Sequence, residues 1–131
     1  MATIVGNTHT WQNTLHPSGL PNFPTDPPIV LTSSEGENIE TTVLAGATTV
    51  VFTGLITASK VISFGMHSTL ANVNVTTGSQ SFALGAALSL GWNTSMSGVA
   101  NPLTGDVSTI TVDNSAGTKD TVFRAAFLVI P

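Results

Sequence analysis

From Ile29 onward, apolar side chains recur at alternate positions in short segments separated by Gly, Asn, Asp and Ser. A period of two belongs to a strand whose two faces meet different surroundings; an amphipathic helix returns its apolar face every three or four residues. In residues 70–76, Ala71, Val73 and Val75 share one face and Asn72 and Asn74 the other. Residues 60–67 place Ile62, Phe64 and Met66 together, and residues 107–112 pair Ile110 with Val112. Residues 121–130 set Phe123, Ala125, Phe127 and Val129 opposite Val122, Arg124, Ala126 and Leu128. Further strands are predicted at 29–31, 39–44 and 48–56, with a break at Gly46 and a bend or bulge at Gly54. Residues 33–38, Ser-Ser-Glu-Gly-Glu-Asn, read as a turn by composition.

Residues 81–92 predict the longest strand. Phe82, Leu84, Ala86, Leu88, Leu90 and Trp92 form a bulky face, and Ser, Ala and Gly form a nearly smooth one. A smooth face suits the close approach of another sheet or another subunit. A short Ala/Leu helix is the competing reading, and Gly85 and Gly91 weigh against it. About seven or eight short strands separated by turn signals predict an all-β fold, an antiparallel β-sandwich that is jelly-roll-like. Periodicity leaves the strand order open.

The first 28 residues differ in kind. They hold five of the seven prolines, at 17, 21, 24, 27 and 28. Proline fixes φ and has no amide donor, so residues 17–28 cannot form a helix or a central strand. The predicted organisation is an extended N-terminal arm at 1–28 followed by a β-sandwich domain at 29–131. The arm carries Trp11, Leu15, Leu20 and Phe23. Apolar side chains on an extended segment need a surface to lie on, either the protein's own domain or a neighbour. Trp11 has no local partner and is the favoured anchor.

Charged residues make up only 8% of the chain, against the usual quarter of a soluble protein. Met1 to Thr25 carries no formal charge, and between Thr41 and Gly105 the one charged residue is Lys60. Asp26, Glu35, Glu37 and Glu40 form an acidic patch in sequence, a candidate contact for a basic partner. A net charge of -4 with three Lys and Arg excludes phosphate neutralisation on the scale nucleic-acid binding needs. Residues 43–59 are uncharged, but their Thr, Gly and β-branched content predicts strands, so no membrane role is expected. The N-terminal residues have neither a basic region nor an apolar run, and synthesis in a cytoplasm is expected. A surface this poor in charge is expected to be covered in an assembly, because interface cores are depleted in charge.

Catalytic signatures are absent from the sequence. Without cysteine there is no thiol nucleophile, thiolate metal site or redox pair. No G-x-S-x-G elbow and no phosphate-cradling glycine loop occurs. His9 and His16 lie on the arm without a neighbouring carboxylate, and His67 ends a predicted strand. Neither catalytic residues, metal nor cofactor are expected. Trp11 and Trp92 are the residues that would stack on a sugar ring, though the parity of Trp92 places it in the core.

The uncharged, proline-punctuated arm from Thr8-His9-Thr10-Trp11 through Pro28, the Ser/Thr/Gly-rich β domain and the ending Phe123-Arg124-Ala125-Ala126-Phe127-Leu128-Val129-Ile130-Pro131 together resemble the head-decoration (cement) proteins of tailed bacteriophages. The resemblance implies a protein on the outside of the capsid, often a trimer at local three-fold positions, that bridges capsid subunits and resists internal DNA pressure. It does not settle the fold, since only some members have jelly-roll-like domains. On this reading the protein is a non-enzymatic virion component. Its partners are the major capsid protein and itself, with a trimer favoured. Trp11, Leu15, Leu20 and Phe23 dock the arm on the capsid. Two alternatives stay open: a lectin-like carbohydrate-binding module of a spike or fibre, and another virion subunit such as a tail, fibre or small coat protein. A coat protein enclosing genome usually offers a basic arm, and this arm has no Lys or Arg.

Overall fold

Residues 7–11, 29–70, 72–85, 89–96 and 98–131 are described by a computed structural model. Its strands are β1 (Asn7–Trp11), β2 (Ile29–Ser33), β3 (Glu35–Val43), β4 (Thr48–Ile56) and β5 (Val61–Ser68). They continue with β6 (Val73–Thr76), β7 (Ser81–Leu84), β8 (Ser89–Asn93), β9 (Val107–Asp113) and β10 (Thr121–Val129). β3 to β10 build two four-stranded sheets, ordered β3-β10-β5-β8 and β4-β9-β6-β7, while β1 and β2 form a separate ribbon.

The pairing is nested and antiparallel throughout. β6 pairs with β7, β5 with β8, β4 with β9 and β3 with β10, as if one long hairpin had been folded about residues 77–80. There the Thr77 amide donates to the Gln80 carbonyl at 2.9 Å, and Gly78 adopts a φ of 93°, which suits a residue without Cβ. Rolling this doubled ribbon sets β10 beside β5 and β9 beside β6. Eight strands in two such sheets make an antiparallel β-sandwich of jelly-roll form.

Alternation puts one face of each sheet into a shared core. β10 contributes Phe123, Ala125 and Phe127; β5 contributes Phe64 and Met66; β9 contributes Val107, Ile110 and Val112. Phe64 and Phe127 are register partners, and their rings stack at 5.7 Å between centroids with 10° between planes. Turns are clasped by side chains. Asn114 Nδ2 donates to the carbonyls of Leu44 and Lys119, and the amides of Ala45 and Ala58 donate to Asp120 and Asp106. β4 shifts register between Val50 and Phe52 and again between Thr53 and Ile56, so Gly54 lies in a bulged stretch.

Three sequence expectations are corrected. Residues 35–38, read as part of a turn, are the start of β3; only Ser34 bends. Pairing with apolar β10 supplies the backbone partners that composition could not reveal, and an edge strand tolerates the exposed Glu35 and Glu37. Residues 81–92 are not one strand. β7 and β8 belong to opposite sheets, yet Leu84 and Trp92 both face the core because each sheet turns its own inner face to it. Within the predicted arm, Asn7–Trp11 is a strand paired with β2, Trp11 opposite Ile29. Residues 12–28, with Leu15, Leu20, Phe23 and Asp26, lie outside the described residues. No helix among the described residues is long and apolar enough to cross a membrane.

The stacked pair yields a direct test. Phe127→Ala removes a fully buried ring and its partner's stacking face, and is expected to cost roughly 3–5 kcal/mol. Urea denaturation measures it; a loss below roughly 1 kcal/mol would show the stack to be peripheral.

Candidate functional site

The outer face of the β3-β10-β5-β8 sheet carries an open depression. Register sets Asn38, Ala126, Gly65 and Gly91 in one row across four strands, and Glu40, Arg124, His67 and Ser89 in the next. Small residues in the first row leave a depression. β1 runs along it, and together they border an open groove of about 640 Å³. Trp11 and His9 form one wall, Glu40 and Arg124 the other.

β1 is held by a short network. Trp11 Nε1 donates to Ser63 Oγ at 2.8 Å, and His9 Nδ1 lies 2.6 Å from the same oxygen. The six-membered ring of Trp11 rests on Gly91, where an added Cβ would come within 2.6 Å of Cη2. The smooth face read in the sequence is therefore occupied, at Gly91, by a strand of the same chain. Leu128 also points to this outer face and is fully buried, with β1 and β2 packed against β10. Ser33 Oγ ties β2 to the Val129 carbonyl.

The Ser63–His9 pair has the composition of a nucleophile and base. Its geometry serves another purpose. Ser63 is 0% exposed and already accepts the indole N–H, so no substrate reaches its oxygen. Burial lowers the His9 pKa and favours the neutral ring; Nε2 is buried without a hydrogen-bond partner among the described residues. The pair works as a clasp.

The acidic run divides by strand geometry. Glu35 and Glu37 share one parity of β3, whereas Glu40 lies on the other and meets Arg124 Nε at 2.8 Å. Both side chains are more than half exposed, so the ion pair contributes little to stability. Sequence reading missed this partner because the two residues are far apart in the chain and become neighbours only through the β3–β10 register. Among the described residues no three His, Asp or Glu side chains are grouped to hold a metal. Trp92 is 8% exposed and donates to the Val99 carbonyl, so it is a core residue and no sugar platform.

The opposite face of the molecule is a contrast. β4, β9, β6 and β7 contain Asp113 as their one charged residue. Hydrogen bonds from Ser115 and Thr48 hold that carboxyl below its ordinary range. The outward positions include Thr109, Thr111, Thr76 and the exposed Val50. No family model, curated protein or solved structure matches the chain.

Two outcomes are expected. Gly91→Ala forces the indole off its seat, costs roughly 1–3 kcal/mol and shifts Trp emission to the red; unchanged emission and stability would refute the seating. The lowered His9 pKa means that the unfolded chain binds protons more readily than the folded one. Stability is full above the ordinary histidine value of 6.5 and declines as pH falls from there through the folded value. Replacing His9 with Asn should flatten that decline in denaturation curves measured across the window; an unaltered slope would assign it to another group.

Proposed function

We propose that this chain is a non-enzymatic structural protein of a virion, a decoration protein that binds the outer capsid surface and stabilises the shell. The observation that carries the reading is the outer face of the β4-β9-β6-β7 sheet, where Asp113, held by Thr48 and Ser115, is the one charged residue. Exposed Val50 gains from burial there, and its Thr neighbours cost less to desolvate than charged groups would when their hydroxyls are paired across a contact. Elsewhere Asp106 and Asp120 accept turn hydrogen bonds, and Arg124 pairs with Glu40. Jelly-roll domains serve as shell and lectin modules, a fold-level analogy that agrees with this reading and does not carry it.

The mechanism is multivalent clamping. Several copies, favoured as a trimer, present their charge-poor faces and arms to neighbouring subunits of the major capsid protein. Each contact is weak, and one rigid oligomer raises their effective concentration. Trp11 takes part as the root of the arm, seated on its own domain. Leu15, Leu20 and Phe23 are left to contact the shell, and prolines limit the entropy lost when they dock. Glu35 and Glu37, exposed along the β3 edge, offer a contact to a basic partner.

Because Trp11 and Ile29 are cross-strand partners, a two-residue Asn-Gly turn can replace residues 12–28 without disturbing β1 or β2. That variant should keep its circular dichroism spectrum and lose binding to purified capsids. Val50→Lys should keep its fold and bind them more weakly, by about tenfold. Undiminished binding by both variants, or labelling of virions that places the protein on the tail or fibre, would overturn the proposal.

A further inference from the structure

We infer that the groove between β1 and the outer face of the β3-β10-β5-β8 sheet is a saccharide-binding site. It lies on the side of the sandwich away from the charge-poor sheet, so its occupation is compatible with shell binding and independent of it. Its volume of about 640 Å³ lies within the range of small-ligand sites.

Its lining supplies what a polyhydroxylated ring needs. The floor is Gly65 and Ala126, small enough for a ring to lie close to the sheet. Trp11 stands along one side, its indole N–H already committed to Ser63, which fixes the ring plane in advance. A rigid aromatic wall offers apolar contact to the C–H face of a sugar. Opposite it, Arg124 spends only Nε on Glu40, so its two terminal nitrogens remain donors and one Glu40 carboxylate oxygen remains an acceptor. Neither the Asn38 amide nor the His67 ring makes a hydrogen bond to a described residue, and both line the same groove.

The groove therefore carries both donors and acceptors away from Trp11. A hydroxyl both donates and accepts, and two vicinal hydroxyls match such a fork; a purely anionic ligand would meet Glu40, and a purely apolar one would cover the terminal nitrogens of Arg124 and the second Glu40 oxygen without hydrogen-bonding them. Trp92, the other indole, is excluded by its burial.

The test is an array of neutral and uronate-containing oligosaccharides probed with the full chain, followed by titration of a retained oligosaccharide while Trp fluorescence is recorded. At least one oligosaccharide should be retained and should perturb the emission. Arg124→Met and Asn38→Ala, both at exposed positions, should each weaken it by about tenfold or more. Lys119→Gln, on a remote turn, should leave it unchanged. Retention of no glycan at millimolar concentration, or equal binding by wild type, Arg124→Met and Asn38→Ala, would overturn the inference. Capsid binding is read separately, so either conclusion can fail without the other.

Discussion

Strand β10 is the element on which the rest depends. It hydrogen-bonds β3 on one side and β5 on the other, joining the outermost pair of the nested ribbon to its inner layers. Its inward residues Phe123, Ala125 and Phe127 fill the centre of the core, and its outward Leu128 is buried where the β1–β2 ribbon packs. Both faces of one strand are thus used, and both demand the same register. A slip of one residue would send the phenylalanines outward and Arg124 into the core.

The hydrophobic code of that strand was open to reading from sequence, as were β5, β6 and β9. β6 alternates cleanly, while in β5 the core takes Val61 in place of Ile62 and buries Ser63 beneath the ribbon, and in β9 the parity breaks between Val107 and Ile110. The misread segments are those where alternation carries no contrast. Residues 35–38 are polar on both faces because β3 is an edge. Residues 81–92 keep one parity through a change of sheet, since both sheets turn an inner face to the same core. The order of strands was not legible, because nested pairing is a property of distant partners. The groove was legible only in fragments. Gly91 and Trp11 each stood out in the sequence, one as part of a smooth face and the other as an unpartnered indole, and the fold joined them. The meeting of Arg124 with Glu40 left no local trace.

The sandwich has two unlike outer surfaces. One is smooth, rich in hydroxyl and β-branched side chains and nearly free of charge, and such surfaces cost less to dehydrate than charged ones. The other is concave, bordered by β1 and by the ion pair. The clasp at Ser63 shapes the concave side. It seats the aromatic wall of the groove and fixes the point from which the proline-rich segment departs.

The nested pairing also has a temporal meaning. β3 and β5 are synthesised well before β10, and until that strand arrives neither has its central neighbour. Hydrophobic edges are exposed for as long as elongation lasts, and contacts so distant in sequence form slowly. Completion of the roll is thereby tied to delivery of its latest strand, and a nascent copy has no finished β3-β10-β5-β8 sheet until β10 is inserted.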